Sequence, residues 1–307
     1  MGTLLVITGP TGVGKTDLTL RLAAHFGCPI VSADSRQIYR EIPIGTAAPT
    51  AEELARVKHF FVGTKSVTED YNAGEYERDA LALLTKLQQQ ATGNPFAILS
   101  GGSMLYIDAV CKGFDDIPTI SQRTREEVRN EYVANGLEWL QKEVERLDPE
   151  YWQTVDRNNP QRLMHCIEVS RSAGKPYSSF RKQAQAARDF DVVKVALERP
   201  REELYERINQ RVEQMIATGL EDEARAVYAQ RQFNSLQTVG YREMFDYFDG
   251  KTTREEAIRL IKQNTRHYAK RQMTWFRADN TIHWLNADET YETQLDSIST
   301  WLHAGGM

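Results

Sequence analysis

The chain has 307 residues, 41% of them hydrophobic and 26% charged, with a formal net charge of −5. That balance excludes a disordered chain, and at this length roughly three quarters of the unfolded surface can be buried without disulfide or metal staples. The longest apolar runs, such as residues 4–7 and 96–99, are too short to cross a bilayer. No secretory leader is expected either, because a phosphate-loop pattern begins at Gly9, where an apolar segment should continue. Cys28, Cys111 and Cys166 are scattered with no metal-ligand spacing, so they are expected to be reduced thiols of a cytoplasmic protein.

Apolar runs at residues 4–8, 29–33 and 95–100 do not alternate with polar residues, and so read as strands buried on both faces. Amphipathic helical patterns at 15–25 and 76–91 lie between them, and strand–helix–strand order predicts a parallel α/β sheet. Residues 121–187 carry no convincing strand but show helical periodicity over 124–135, 137–147 and 162–172. They are predicted to form a helical insertion domain, the core domain being residues 1–120 together with 188–307. Residues 191–197 and 281–285 read as further strands of the same sheet, with long amphipathic helices from Glu202 onward.

Between the first strand and the first helix stands Gly9-Pro10-Thr11-Gly12-Val13-Gly14-Lys15-Thr16, a fit to G-x-x-x-x-G-K-T in the place that motif requires. Its glycines allow backbone N–H groups to turn toward phosphate oxygens at a helix N-terminus. Lys15 would reach the terminal phosphates and the Thr16 hydroxyl would hold Mg²⁺. The motif predicts a diphosphate or triphosphate ligand and says nothing of what becomes of it. Asp34-Ser35-Arg36-Gln37 follows the second strand, at the edge where parallel sheets bind ligands. A carboxylate there serves either as a general base or as a turn cap. Gly101-Gly102-Ser103 ends the 95–100 strand on the same edge. Farther on, Arg207 and Arg211 share one helical face: either a clamp for a diphosphate or a solvated pair for Glu203, Glu206 and Glu213. Residues 259–277 hold six Lys or Arg and no acid, with Arg259, Lys262, Arg266 and Lys270 in one stripe and Tyr268, Gln272 and Trp275 beside it. This suits an RNA backbone with unstacked bases, although Tyr268 and Trp275 could equally pack inward. A phosphate loop at one end and a polyanion surface at the other point to a nucleotide-modifying transferase. The alternative is a P-loop kinase of a nucleotide or small metabolite.

The ordered series GPTGVGKT, ADSRQIY, IGTAAP, GGSMLY, NPQRL, RINQRVEQM, TVGYRE and TRHYAKRQMTWFR resembles the tRNA dimethylallyltransferase family over nearly the whole chain. The resemblance implies a P-loop NTPase-like parallel sheet flanked by helices, in a cytoplasmic monomer that uses Mg²⁺. The implied reaction moves the dimethylallyl group of dimethylallyl diphosphate to N6 of the adenosine 3′ of the anticodon in tRNA, releasing pyrophosphate. Carried over by position, Gly9–Thr16 would hold the donor's diphosphate and Asp34 would be the base. Asp34, Ser35, Arg36 and Gln37 would meet the target nucleotide. Ser103, Arg125, Gln161, Arg162, Arg266, Lys270, Arg271 and Gln272 would touch the anticodon stem-loop, and Ser103 would share in catalysis with Lys15. Arg211, with Arg207, would neutralise departing pyrophosphate. This chain departs from the family in carrying Ser103 for Thr, Ala48 for Lys, and His165-Cys166 for Arg-Ala, which removes a phosphate contact at position 48 and weakens the case for one to tRNA at His165. It also lacks the zinc-finger tail of eukaryotic relatives, the pattern of the bacterial type.

Overall fold

A computed structural model of the chain describes residues 2–113, 117–118, 120–181 and 187–304. Its contacts divide it into one unit of Met1–Cys111 with Arg188–Met307, and a second of Lys112–Ala187. The first unit opens with β1 (Thr3–Thr8), α1 (Lys15–Phe26), β2 (Ile30–Ser32), α2 (Ala51–Arg56), β3 (His59–Phe60), α3 (Ala73–Gln90), β4 (Ala97–Ser100) and α4 (Met104–Lys112). The second unit holds α5 (Gln122–Leu147), α6 (Pro149–Trp152) and α7 (Pro160–Ala173). The chain then returns with β5 (Asp191–Glu198), α8 (Arg201–Ala217), α9 (Leu220–Ala226), α10 (Tyr241–Phe248), α11 (Arg254–Arg277), β6 (Ile282–Asn286) and α12 (Tyr291–Ala304).

The strands form one sheet in the order β3-β2-β4-β1-β5-β6, and every neighbouring pair is parallel. Within β1, Leu5 and Ile7 pack with Leu18, Leu22, Ile298 and Leu302 on one face. Leu4 and Val6 pack with Tyr76, Leu84 and Phe276 on the other. A strand buried on both sides cannot alternate polar with apolar residues, which is why these runs read as continuous. The strand β3 spans only two residues and leaves no such run.

Register aligns the strand ends that matter. Ile7 and Ser32 both pair with Ser100, so Gly9, Asp34 and Gly101 leave the sheet side by side. The Gly101 N–H donates to the Ile7 carbonyl, and the Ala33 N–H to the Ser100 carbonyl at 2.7 Å. A Cβ on Gly101 would lie 2.2 Å from the Ala33 carbonyl oxygen, so only glycine lets these two segments approach. A third apolar cluster joins Ile38 and Ile42, just past Asp34, to Val212, Leu220, Tyr241 and Ile261. With roughly 1.5–3 kcal/mol for each large apolar side chain buried, the segment after Asp34 is fixed to the C-terminal helices.

In the second unit, α5 is broken at Gly136, whose φ is 73°, hence the two separate helical periods in the sequence. Val128, Leu140, Val144, Leu163 and Ile167 form its core. The wholly buried Asp148 accepts from the Tyr151 N–H at 2.9 Å, the Ser178 hydroxyl at 2.8 Å and the Ser178 N–H at 2.6 Å. This unit begins at Lys112 rather than at the predicted 121, because its boundary falls in the last turn of α4, where helical periodicity gives no sign of it. Among the described residues, no helix is long and apolar enough to cross a membrane.

Candidate active site

The phosphate loop takes the shape its glycines permit. Gly9, Gly12 and Gly14 have φ of 135°, 83° and 114°, values that side chains strongly disfavour. α1 begins at Lys15 with the left-handed Gly14 before it, so its first N–H groups face the cleft. The Lys15 ammonium donates to the Gly9 and Pro10 carbonyls at 2.9 Å each. Burial above all, and then the Arg211 charge, push its pKa down to about 7, while Asp34 opposes the shift. A cradle that disfavours its own cation in this way strongly favours an incoming anion.

The two arginines of α8 turn to the loop. Arg207 Nε donates to the Gly12 carbonyl at 2.9 Å, and Arg211 donates to the Thr11 hydroxyl at 3.4 Å. The acids that might have neutralised them are engaged elsewhere: Glu203 with Arg199, Glu206 with Gln210, and Glu213 with Lys262. Neither arginine forms an ion pair among the described residues, so the solvated-pair reading of this face does not hold. Burial lowers the pKa of Arg211, with Asp34 opposing.

Two residues that sequence reasoning missed or misread hold the loop in place. Arg199, at the end of β5, donates to the Val13 carbonyl at 2.9 Å and the Ala287 carbonyl at 3.1 Å. Gln272 was expected to touch tRNA, yet it is 1% exposed. Its oxygen accepts from the Thr11 N–H at 2.9 Å and its nitrogen donates to the Gly102 carbonyl at 2.7 Å. It bridges the two glycine loops from inside, and its amide is unavailable to RNA.

On the neighbouring edge, Asp34 caps a turn and also lines the cleft. Its Oδ1 accepts from the Arg36 N–H at 2.9 Å and the Gln37 N–H at 3.2 Å, a turn cap that fixes the orientation of the carboxylate. Ser103, expected to act in catalysis and to touch tRNA, is only 7% exposed. Its hydroxyl donates to Ser35 Oγ at 3.1 Å and accepts from the Ser35 N–H at 2.8 Å, so it braces the Asp34 turn. Gln37 also faces inward, its amide donating to the Thr46 and Ala47 carbonyls at 3.3 and 3.0 Å. Glu223 secures the far side of that loop by accepting from the Ile44 and Gly45 N–H groups at 2.7 and 2.8 Å and from the Tyr241 hydroxyl.

These segments enclose two chambers. The first, of about 580 Å³, is lined by Lys15, Thr16, Arg207 and Gly102. The second is lined by Ser35, Arg36, Ser103, Val212, Ile261 and Arg271. Thr11, Asp34, Thr46, Arg211 and Tyr268 line both, so the carboxylate stands where they meet. The Tyr268 hydroxyl lies by Ser103, and burial raises its pKa to about 12.

The basic stripe of α11 is partly neutralised, contrary to the expectation of a bare one. Arg259 pairs with Glu256 at 2.6 Å, Arg277 with Glu198 at 3.2 Å, and Lys262 with Glu213. Arg266 donates to Asn209 at 2.6 Å. Lys270 and Arg271 are exposed and form no ion pair among the described residues. In the second unit, Arg125, Gln161 and Arg162 are exposed. His165 packs edge-on against Tyr177, and burial, then Arg125, lowers its pKa. Burial pushes the Cys28 and Cys166 thiols up to about 12, as inert thiols require.

A phosphate loop at the head of a parallel sheet, two arginines aimed at it and a carboxylate at the mouth of a second chamber define a P-loop enzyme that handles a phosphorylated donor. The family profile described as IPP transferase matches residues 37–279. The chain is 52% identical over 297 residues to tRNA dimethylallyltransferase 2 of Porphyromonas gingivalis, covering 97% of this chain and 98% of that one. It is 53% identical over 290 residues to tRNA dimethylallyltransferase 1 of Phocaeicola vulgatus, covering 94% and 96%. The crystal structure of the full-length tRNA isopentenylpyrophosphate transferase of Bacillus halodurans superposes with a TM-score of 0.72 at 33% identity, covering 100% of this chain and 98% of that one. The chain belongs to the tRNA dimethylallyltransferase family, in its bacterial branch, and is a prenyl-transferring enzyme rather than a kinase.

Proposed function

We propose that the chain transfers the dimethylallyl group of dimethylallyl diphosphate to N6 of the adenosine 3′ of the anticodon in tRNA, with release of pyrophosphate. The meeting of the two chambers at Asp34 carries this reading: one side has the cations of a diphosphate site, and the other is rimmed by Arg36, Arg242 and Arg271.

An exocyclic adenine amine is a weak nucleophile, because its lone pair is delocalised into the ring. The allylic donor compensates by loosening its C–O bond, so negative charge grows on the leaving diphosphate. Lys15, the loop N–H groups, Arg207 and Arg211 stabilise that charge, in most enzymes the largest catalytic term. Asp34 orients the amine and accepts its proton as the C–N bond forms. Ser103 acts by holding the turn that presents Asp34. Bringing the base out of the loop stack costs a few kcal/mol, offset by contacts within the second chamber.

The exposed Thr16 hydroxyl beside Lys15 fits a Mg²⁺ whose other ligands come from the donor, as no group of three or more His, Cys, Asp or Glu among the described residues could hold a metal alone. Such an ion would help neutralise the leaving group. Arg125, Gln161, Arg162, Arg266, Lys270 and Arg271 serve the tRNA. One chain supplies every group named, which suits a monomer, and tRNA as acceptor suits the cytoplasm.

The test uses dimethylallyl diphosphate labelled in both carbon and phosphate, with Mg²⁺ and either unmodified tRNA or AMP. Carbon label on the tRNA and phosphate label in free pyrophosphate are expected. Transfer to AMP alone, or label passing as phosphate, overturns the proposal.

A further inference from the structure

Trp275 is 41% exposed and Leu105 52%, two of the four large apolar side chains that stand out from the surface among the described residues. They lie on adjoining helices. The Trp275 indole N–H donates to Asp108 Oδ2 at 2.9 Å, and Leu105 precedes Asp108 by three residues on the same face of α4. A hydrogen bond at the ring's edge holds the indole in place and leaves part of its apolar face open to a ligand.

The surroundings identify the ligand. Along α11, Tyr268, Arg271 and Trp275 succeed one another at helical spacing on one face. Tyr268 lines both chambers. The Arg271 guanidinium lies 5.8 Å from the centre of the Tyr268 ring. Lys270 and Arg271 are the exposed α11 cations that no carboxylate neutralises among the described residues. A line running from a half-buried tyrosine, past the uncompensated Arg271, to a tethered indole matches a single strand whose backbone lies on the cation and whose bases lie on the rings. A protein partner would need an acidic surface and a wider apolar face than two side chains offer.

We infer that Trp275, with the exposed Leu105 on the adjoining α4, is a stacking platform for an unpaired RNA base next to the nucleotide that enters the second chamber. The inference rests on the proposed function and adds to it a binding subsite outside the reaction chambers. Because the platform holds the base equally before and during reaction, its loss raises the KM for RNA and leaves kcat unchanged.

The experiment measures prenyl transfer to an anticodon stem-loop, and its equilibrium binding, for the wild type, Trp275→Ala and Trp275→Phe. Trp275→Ala is expected to weaken binding by about five- to hundredfold, the range for one base–aromatic stack, with kcat within about twofold and the salt dependence of binding unchanged because no charge is lost. Trp275→Phe, which keeps a ring, is expected to retain most of the affinity while losing the quenching of indole fluorescence that RNA causes in the wild type. Should Trp275→Ala fold poorly, that fluorescence difference remains the readout. Unaltered RNA affinity in Trp275→Ala, or identical quenching in the wild type and Trp275→Phe, overturns the platform. Fluorescence that responds to an added protein and not to RNA assigns the patch to a protein partner and also overturns it. Failure of the wild type to prenylate any RNA overturns the proposed function instead, so the two are distinguishable.

Discussion

Replacing Gln272 with alanine removes the bridge between the two glycine loops. The structure sets the size of the effect. Gln272 accepts from Thr11 and donates to Gly102 at 2.9 and 2.7 Å in a buried position, and each buried group left without a partner costs about 1–3 kcal/mol. If the loops keep their place, the Thr11 N–H is left without a partner while the Gly102 carbonyl keeps the Tyr268 hydroxyl at 3.4 Å, so the loss is at least about 1–3 kcal/mol, and at about 2–4 °C per kcal/mol for a unit of this size the Tm falls by at least about 2 °C. If the loops instead open to water, the fall in Tm is smaller, but Thr11 loses its fixed position and the KM for the diphosphate donor rises. One of the two must therefore suffer. Thermal unfolding with and without pyrophosphate, together with the donor KM, reads both. Gln272→Met, similar in length but without the amide, is expected to behave like the alanine variant. A Gln272→Ala protein with wild-type Tm and wild-type donor KM would refute the bridging role.

The lowered pKa of Lys15 fixes the sign of a pH effect. Below about pH 7 the free enzyme carries the ammonium, and above it the amine, so binding the anionic donor at pH 8 must take up a proton. The donor KM is expected to be flat below that pH and to rise by up to about tenfold per unit above it; calorimetry in buffers of different ionisation enthalpy measures the uptake, which Lys15→Met abolishes. Gly101→Ala places a Cβ 2.2 Å from the Ala33 carbonyl oxygen, and is expected to cost at least about 2 kcal/mol and to lower turnover by displacing Asp34. Gly27→Ala, where a Cβ meets nothing within 4 Å, is expected to cost only the left-handed penalty of about 1–2 kcal/mol, with activity intact. Lys270→Ala and Arg271→Ala are each expected to reduce the salt slope of tRNA binding by about one. Arg259→Ala, whose charge Glu256 already neutralises, is expected to leave it unchanged.

What could be read in the sequence follows from how locally each feature is encoded. The phosphate loop is a continuous octet, and the central strands are unbroken apolar runs because both their faces are covered. The break at Gly136 separates two helical periods that can be counted. The Asp34 turn was legible in position but not in role, since a carboxylate that caps a turn and one that lines a cleft read alike and here are the same residue. The charge balance of α11 was not legible, because two of the acids that neutralise it come from Glu213 and Glu198, on other elements. Gln272 misled for the same reason: an amide beside basic residues looks like an RNA contact until the fold brings Thr11 and Gly102 to its two ends. Arg199 and Glu223 gave no signal, because what they hold is backbone, and any sequence can supply a carbonyl or an N–H.

The most direct measurement is the single-turnover rate of Asp34→Asn with both substrates saturating. Asparagine keeps an oxygen to accept from the Arg36 and Gln37 N–H groups and removes only the charge and the basicity. A fall of about 10²–10⁴ in the chemical step, with both dissociation constants close to those of the wild type, is the expected result. An unchanged chemical step would contradict a proton transfer to Asp34, and so would a loss confined to binding.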